Sequence, residues 1–285
     1  MRSLITIACL AALSGCAIIV NGNDDVQVRS AFSSSAVAGN GILAHDVRTA
    51  GTVSGLDVSG PLEVNVRVGP TTSLAVDADS NLLPLIRSEV SGGELRIWVD
   101  GNLRSNNSLR VTYTTPSLKQ LRVSGSGRVT VNDLNGEALD LSKSGSGSTI
   151  LTGRVDKLDV RHSGSGDINA QGVRSGSARV AQSGSGRTGL GAVQGDALSL
   201  TVSGSGSVEA RGVVNAVTAR TSGSGSVDIT GVTSEQADLT TSGSGAISAT
   251  VRRSVLAQTS GSGHITVYGN PAQRQISGKN VTVLN

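Results

Sequence analysis

Hydrophobic and polar residues alternate along most of this chain, and from residue 124 onward the alternation is itself repeated. The tetrapeptide Ser-Gly-Ser-Gly begins at residues 124, 144, 163, 183, 203, 222, 242 and 260, eight copies spaced 18 to 20 residues apart. Three and five residues before the first serine stand aliphatic side chains, as in Leu141 and Leu139, Val160 and Leu158, or Leu200 and Leu198. Five and seven residues after it the pattern resumes with Val129 and Val131, Ile168 and Ala170, or Ile247 and Ala249. The intervening positions carry polar residues such as Asp140, Asp159, Asn169, Glu209 and Asp228. A period of two marks a strand with one buried face, so each copy supplies two short strands joined by the tetrapeptide.

A single turn of this kind cannot cover its own aliphatic face, and stacking successive turns supplies the missing layer. The sequence therefore predicts an all-β fold, a right-handed parallel β-helix or β-solenoid with coils of about 20 residues. At about 4.8 Å per coil, eight coils rise roughly 40 Å. Length variation agrees with this, because a one-residue slip inside a strand would turn its apolar set outward. The block from five residues before the serine to nine after it keeps its length, and variation falls between blocks, at Arg154 to Lys157 in one copy and Arg252-Arg253-Ser254 in the shortest. Glycine in the tetrapeptide fits a sharp corner or narrow waist repeated on every coil, and the serines are expected to bond between coils through their hydroxyls. The residue just before the motif is Val123, Lys143, His162, Gln182, Val202, Thr221, Thr241 or Thr259. A lysine in that series argues against a core position, so the strand is expected to bend or end there.

Upstream, residues 42–115 alternate in period two, as in Leu62-Glu63-Val64-Asn65-Val66-Arg67-Val68 and Glu94-Leu95-Arg96-Ile97-Trp98-Val99, with one short helix expected over 81–90. They are expected to form a β-rich cap on the repeat solenoid of 116–285, whose last partial coil, Gln275 to Asn285 with Val281 and Val283, caps the other end. Residues 16–41 include Asn21-Gly22-Asn23-Asp24-Asp25 and Ser33-Ser34-Ser35, a composition expected of a flexible tether. Before it, Met1-Arg2 and the apolar run Leu4 to Leu13 read as a secretory signal over 1–15, too short to span a bilayer. The run ends in Leu13-Ser14-Gly15-Cys16, which resembles the lipobox of bacterial lipoproteins. That resemblance implies acylation of Cys16 and a membrane partner reached through the lipid. Ala17 stands where an aspartate would favour inner-membrane retention, so the outer membrane is the expected destination. An ordinary cleaved signal that happens to contain a cysteine is the plainer alternative.

The segment Leu121-Arg122-Val123-Ser124-Gly125-Ser126-Gly127, its seven successors and the earlier Asp77-Ala78-Asp79-Ser80-Asn81-Leu82-Leu83 resemble the putative auto-transporter adhesin head GIN domain family (DUF2807), from about residue 45 onward. The resemblance implies a right-handed β-helix-like solenoid, a bacterial envelope location and an adhesive role. It brings no binding residues with it.

Composition narrows the chemistry. Lysine and arginine number 24 against 21 aspartates and glutamates, a formal charge of +3. That is too weak and its residues too scattered to imply nucleic acid or an anionic membrane surface. Arg252-Arg253 is expected to be a solvated turn. Apart from Cys16 the chain has only Cys9, inside the expected signal, so no intramolecular disulfide is expected despite an oxidising compartment. Phe32, Trp98, Tyr113 and Tyr268 are its only aromatics. The solenoid therefore lacks the stacking platforms that commonly grip sugars or bases.

Gly-x-Gly recurs without a following helix or a Lys-Ser/Thr pair, so phosphate cradling is not expected. Asp77-x-Asp79-x-Asn81 begins like a calcium loop but lacks its glycine and later glutamate, and Pro84 follows closely, which points to a surface turn. His45, His162 and His264 stand singly and are expected to be ordinary surface or coil residues. Gly-Ser-Gly occurs in every copy, which argues for structure over a nucleophile. No catalytic residue, metal ligand or cofactor is assigned. The expected function is a non-enzymatic envelope lipoprotein of structural or adhesive role, with an unidentified protein or glycan partner. A carbohydrate-binding module is the first alternative. A β-helix polysaccharide-degrading enzyme is the second, and it would need clustered Asp, Arg or Lys on one face.

Overall fold

The computed structural model describes residues 36–285 and, as backbone alone, two strands, Cys16–Val20 and Val26–Ser30, that pair antiparallel. The export signal expected over 1–15, the side chain of Cys16 and the remainder of the expected tether up to residue 35 lie outside the described residues.

Period-two patterning before the repeats produces seven strands of the main sheet: β1 (Leu43–Arg48), β2 (Gly55–Ser59), β3 (Glu63–Val68), β4 (Ser73–Asp79), β5 (Ile86–Ser91), β6 (Glu94–Val99) and β7 (Arg110–Thr115). The helix expected over 81–90 is not there. Pro84 sits in a single 3-10 turn, Leu83–Leu85, and β5 begins immediately after it. The apolar cluster from Leu82 to Ile86 suggested a helix, but the glycines that follow decide the outcome. Gly92 and Gly93 have φ of 59° and 81°, as a two-residue hairpin turn requires at both positions, and they fold β5 back onto β6 with Ser91 opposite Glu94.

The repeats continue as β8 (Gln120–Gly125), β9 (Arg128–Gly136), β10 (Leu139–Gly145) and then six long strands that run around each coil: β11 (Ser148–His162), β12 (Asp167–Gln182), β13 (Arg187–Val202), β14 (Ser207–Thr221), β15 (Ser226–Gly243) and β16 (Ala246–Gly261). β17 (His264–Tyr268), β18 (Gln273–Ser277) and β19 (Val281–Leu284) complete a sheet of 19 strands. Pairing through the repeats is parallel. Leu139, Leu158, Ala178, Leu198, Val217, Ala237 and Val255 lie in one column, and Leu141, Val160, Val180, Leu200, Ala219, Leu239 and Ala257 in the next. Every member of both columns is at most 6% exposed. The fold is a parallel β-solenoid of about eight coils, each near 20 residues. At about 1.5 to 3 kcal/mol per buried Val or Leu side chain, these columns are its main source of stability.

Register breaks where the sequence varies in length, though earlier than its count suggested. Pairing slips between Ile150 and Thr152, between Gly189 and Ala192, and between Glu209 and Arg211, six to nine residues after the motif serine. The invariant block thus ends at the second strand, and the corner beyond it absorbs the extra residue as a bulge.

Toward the N-terminal end the coil has two flanks. One is stacked in the order β5, β6, β2, β8, β10, and the other in the order β1, β4, β7, β3, β9. The pairs β1–β4, β4–β7 and β5–β6 are antiparallel. At the other end β18 and β19 add parallel rungs to β16 and β17, and Val281 and Val283 pack against the core.

Candidate functional site

The tetrapeptide forms the tightest corner of the coil. Its serines, among them Ser163, Ser165, Ser183 and Ser185, point to solvent, whereas the second glycine of each copy from Gly147 to Gly263 is buried. A Cβ placed on Gly147, Gly166 or Gly186 would fall under 3.0 Å from the carbonyl oxygen of the equivalent glycine one coil earlier. Close backbone approach is therefore the reason for glycine here, beyond any need for positive φ. The coils are joined at this corner by main-chain bonds: Ser163 N–H donates to the Lys143 carbonyl (2.9 Å), Ser183 N–H to His162 (2.9 Å) and Ser203 N–H to Gln182 (2.8 Å). The expected hydroxyl ladder gives way to this main-chain one, because alternation with inward glycines turns the serine hydroxyls outward. Ser242 does bond across coils, from Oγ to the Thr221 carbonyl at 3.5 Å.

The position before the motif corrects the reading of its lysine. Val123, Lys143, His162, Gln182, Val202, Thr221 and Thr241 all point inward, and Lys143 is 0% and His162 1% exposed. The strand does not bend away there, because the glycine of the next coil leaves room. Cβ atoms at Gly186, Gly225 and Gly263 would meet His162 Cε1 at 2.5 Å, Val202 Cγ1 at 2.6 Å and Thr241 Oγ1 at 2.6 Å. Each of these side chains thus sits beneath the second glycine one coil later.

A polar column results inside an otherwise aliphatic core. Thr188 Oγ1 donates to Gln182 Oε1 (2.7 Å), while Gln182 Nε2 donates to the Gly186 carbonyl. His162 Nδ1 lies 3.1 Å from Thr188 Oγ1. Since the threonine proton is already committed, Nδ1 carries the hydrogen and donates. That leaves His162 Nε2, Lys143 Nζ and Thr149 Oγ1 enclosed with no hydrogen-bond partner. Lys143 and His162 are register partners. Burial holds the Lys143 amine below its usual range, with Asp167 pulling weakly the other way. Burial, then the neighbouring Lys143, holds the His162 imidazole down as well. Neither group reaches solvent, so the column is a packing feature with no route for a substrate.

The outer faces carry the charge. Arg161 Nη1 donates to both oxygens of Asp140 (2.8 and 2.9 Å), and its Nη2 lies 3.7 Å from Asp159. Glu137 accepts from Ser117 Oγ (2.7 Å) and lies 3.4 Å from Lys119 Nζ. The Ser117 hydroxyl first, and Lys119 after it, hold its carboxyl below the usual carboxylate range. Glu137, Lys119, Asp140 and Asp159, together with Lys157, line one open groove of about 570 Å³, and Arg161 holds its Asp140–Asp159 pair. It is the clustered Asp, Arg and Lys arrangement that the enzyme reading required, but each of these three carboxylates is engaged by a cation. A second open groove, of about 600 Å³, lies over the variable corner between Asp133, Arg154, Arg174 and Gln194.

The sequence profile of a family described as "putative auto-transporter adhesin, head GIN domain" matches residues 53–194 and again 172–271. The chain belongs to this family. A putative adhesin from Parabacteroides merdae has the same fold, with 19% identity, a TM-score of 0.68 and coverage of 87% of this chain and 99% of that one. A putative adhesin from Parabacteroides distasonis gives 21% and 0.64, and a putative lipid binding protein of that organism 20% and 0.64, each over 87% of this chain and 99% of the other. At such identities the likeness carries the fold alone. No curated protein sequence matches the chain.

In this GIN-domain chain the remaining singled-out residues have structural partners. The Asp77 to Asn81 segment leaves the end of β4 for a turn at Ser80 and Asn81, as expected, and is also latched to its surroundings. Asp79 is 1% exposed and accepts from Ser105 Oγ (2.5 Å) and Asn107 Nδ2 (2.6 Å), while Asn81 Nδ2 donates to the Ala38 carbonyl (2.8 Å). His45 Nδ1 is 2.7 Å from Asp77 Oδ1 at the surface, and His264 Nε2 is 3.5 Å from Thr282 Oγ1. His162 departs from the surface or coil position expected of it, for the reason given by the glycine above it. Arg252 and Arg253 lie within β16, exposed, near Glu235 at 3.9 and 3.5 Å. Among the described residues no three His, Cys, Asp or Glu side chains gather as a metal-ligand set.

Proposed function

We propose that the chain is a lipid-anchored protein of the bacterial envelope, sorted to the outer membrane, that offers a stiff solenoid surface for adhesive or structural contact and catalyses nothing. The observation that carries this is the division between inside and outside. The interior is sealed, and the outward faces are open and shallow, with the carboxylates of the acidic groove held in ion pairs. A hydrolase or lyase needs an acid or base free to exchange a proton with a bound substrate, and that groove offers none. Family membership supports a cell-surface or envelope setting, and Leu13-Ser14-Gly15-Cys16 supports the anchor.

Cells grown with a radiolabelled fatty acid should label the wild-type protein and leave Cys16→Ala unlabelled; equal labelling of both removes the anchor. The purified full chain, incubated with envelope and extracellular glycans, should release no new reducing or unsaturated ends, and their appearance removes the non-catalytic half. The carbohydrate-binding alternative is favoured by one feature, the unneutralised arginines of the second groove.

A further inference from the structure

Arg154 and Arg174 are 20 residues apart in sequence, which is one coil. The parallel register therefore sets them directly side by side, with Asn135 before them and Ala192 and then Arg211 after them in the same column. Both are exposed. Like charges opposite one another on neighbouring strands repel. A fold that keeps them normally places a carboxylate nearby, as Asp140 and Asp159 do for Arg161. Here the arrangement differs. Among the described residues no carboxylate comes within the 4.0 Å of an ion pair with either guanidinium. Asp133, which lines the same groove, is already held by Arg67 at 2.9 Å, and Asp156 next along the corner reaches neither.

Between them the groove is lined by the buried Leu134 and by two glycines, Gly153 and Gly176. Gln194, exposed, adds a neutral amide at its side, while Ser175 is buried beneath it. Two guanidiniums about 4.8 Å apart at the backbone present five N–H donors each in planar forks suited to a carboxylate or sulfate. The groove is open to solvent, and exposed Asn135 and Arg211 continue its column in both directions, which suits an extended chain better than a small enclosed ligand.

We propose that this groove binds an anionic polysaccharide, with Arg154 and Arg174 gripping its sulfate or carboxylate groups. This deepens the surface-contact reading by naming a ligand class, and it is independent of whether Cys16 is acylated. The test titrates detergent-solubilised full-length protein with dextran sulfate, polygalacturonate and neutral dextran at two salt concentrations. Wild type should bind dextran sulfate, polygalacturonate or both, identifying the oxyanion, and should bind neutral dextran at least tenfold more weakly. Arg154→Gln/Arg174→Gln should weaken polyanion binding at least tenfold and lower its salt dependence, with the melting temperature unchanged. Arg179→Gln/Arg187→Gln removes the same charge outside the groove and should change affinity less than twofold. No polyanion binding by wild type, equal binding of neutral dextran, or equal loss in the two double variants would overturn the proposal. Because these readouts need neither anchor nor adhesion, they can fail while the envelope role stands, and the reverse also holds.

Discussion

The repeat coils and the region before them bury similar aliphatic side chains by different means. From Leu139 to Ala257 each coil adds one parallel rung, its register unbroken along the two inward columns, whereas between Leu43 and Thr115 three strand pairs turn antiparallel. The glycines show why. In the repeats a glycine lets two backbones touch: a Cβ on Gly166 would collide with the carbonyl of Gly147. In the hairpin a glycine supplies dihedral freedom, since Gly92 has φ +59° and nothing within 4 Å of a would-be Cβ. The periodic strands continue in parallel onto β2 and β3. The aperiodic region closes the stack with one hairpin, β5–β6, and two further antiparallel pairs, β1–β4 and β4–β7.

The sharpest way to break this comparison is to reverse one inward position in a coil. Leu200→Asp buries an unpaired carboxylate among Val180, Ala219 and their neighbours and should cost about 4 kcal/mol or more. Thr201→Asp, one pleat over and exposed, should change stability by less than about 0.5 kcal/mol. Urea unfolding of both variants measures the difference, and equal midpoints would refute the assigned faces. Because each coil touches only its neighbours, amide exchange in Leu200→Asp should quicken in the flanking coils and stay slow from Leu56 to Tyr113.

The two kinds of glycine give the next effect. Gly166→Ala must push apart two coils that are packed backbone to backbone, so a loss of about 3 kcal/mol is expected. Gly92→Ala meets only the left-handed dihedral cost, about 1 kcal/mol. Thermal melts that rank them the other way would show that the corner glycines serve φ rather than contact.

Much of this was written in the chain. The period and the two inward columns follow from Ser-Gly-Ser-Gly spacing, because in a stack identity of position is identity of environment. Three features were not legible for identifiable reasons. Lys143 and His162 looked exposed by residue type, and for His162 it is the missing side chain of Gly186 one coil later that makes room. The hairpin at Gly92-Gly93 was hidden by the apolar cluster around Pro84. Arg154 and Arg174 looked scattered because charge was judged along the chain; counted modulo one coil they coincide.

The interior polar column exists only in the repeats, and it makes a pH test of the comparison. Lys143 and His162 are both bases held below their unfolded values of 10.5 and 6.5. The unfolded chain therefore binds protons that the folded chain refuses, so their contribution is fully present above those unfolded values and is lost as pH falls below them. Stability should rise from pH 7 to about pH 9, below the range where the phenol of Tyr113, pushed up by burial, acts in the opposite sense. Lys143→Met keeps the volume, removes the enclosed amine and should stabilise by about 1 to 2 kcal/mol. It should also flatten the alkaline rise, and a rise that persists in this variant would place its origin elsewhere.

The smallest effect lies at the seam between the two regions. Arg122 on β8 donates from one nitrogen to both oxygens of Glu94 on β6 (2.6 and 2.7 Å), reaching across β2, whose Asp57 lies 3.9 Å from Arg96 of β6. Burial, then the nearby Glu94, pushes the Asp57 carboxyl up, so Arg122 screens two acids that crowd each other. Arg122 is 46% exposed, and an ion pair so open to water is worth at most about 1 kcal/mol. Its energy is small, yet it joins the first periodic strand to the aperiodic flank. Arg122→Gln should lower stability by no more than that amount, and the loss should shrink in high salt. A much larger loss would mean that the flank is held to the coils by charge, whereas the shared columns through Leu95, Leu56, Leu121 and Leu141 predict that apolar stacking already carries that junction.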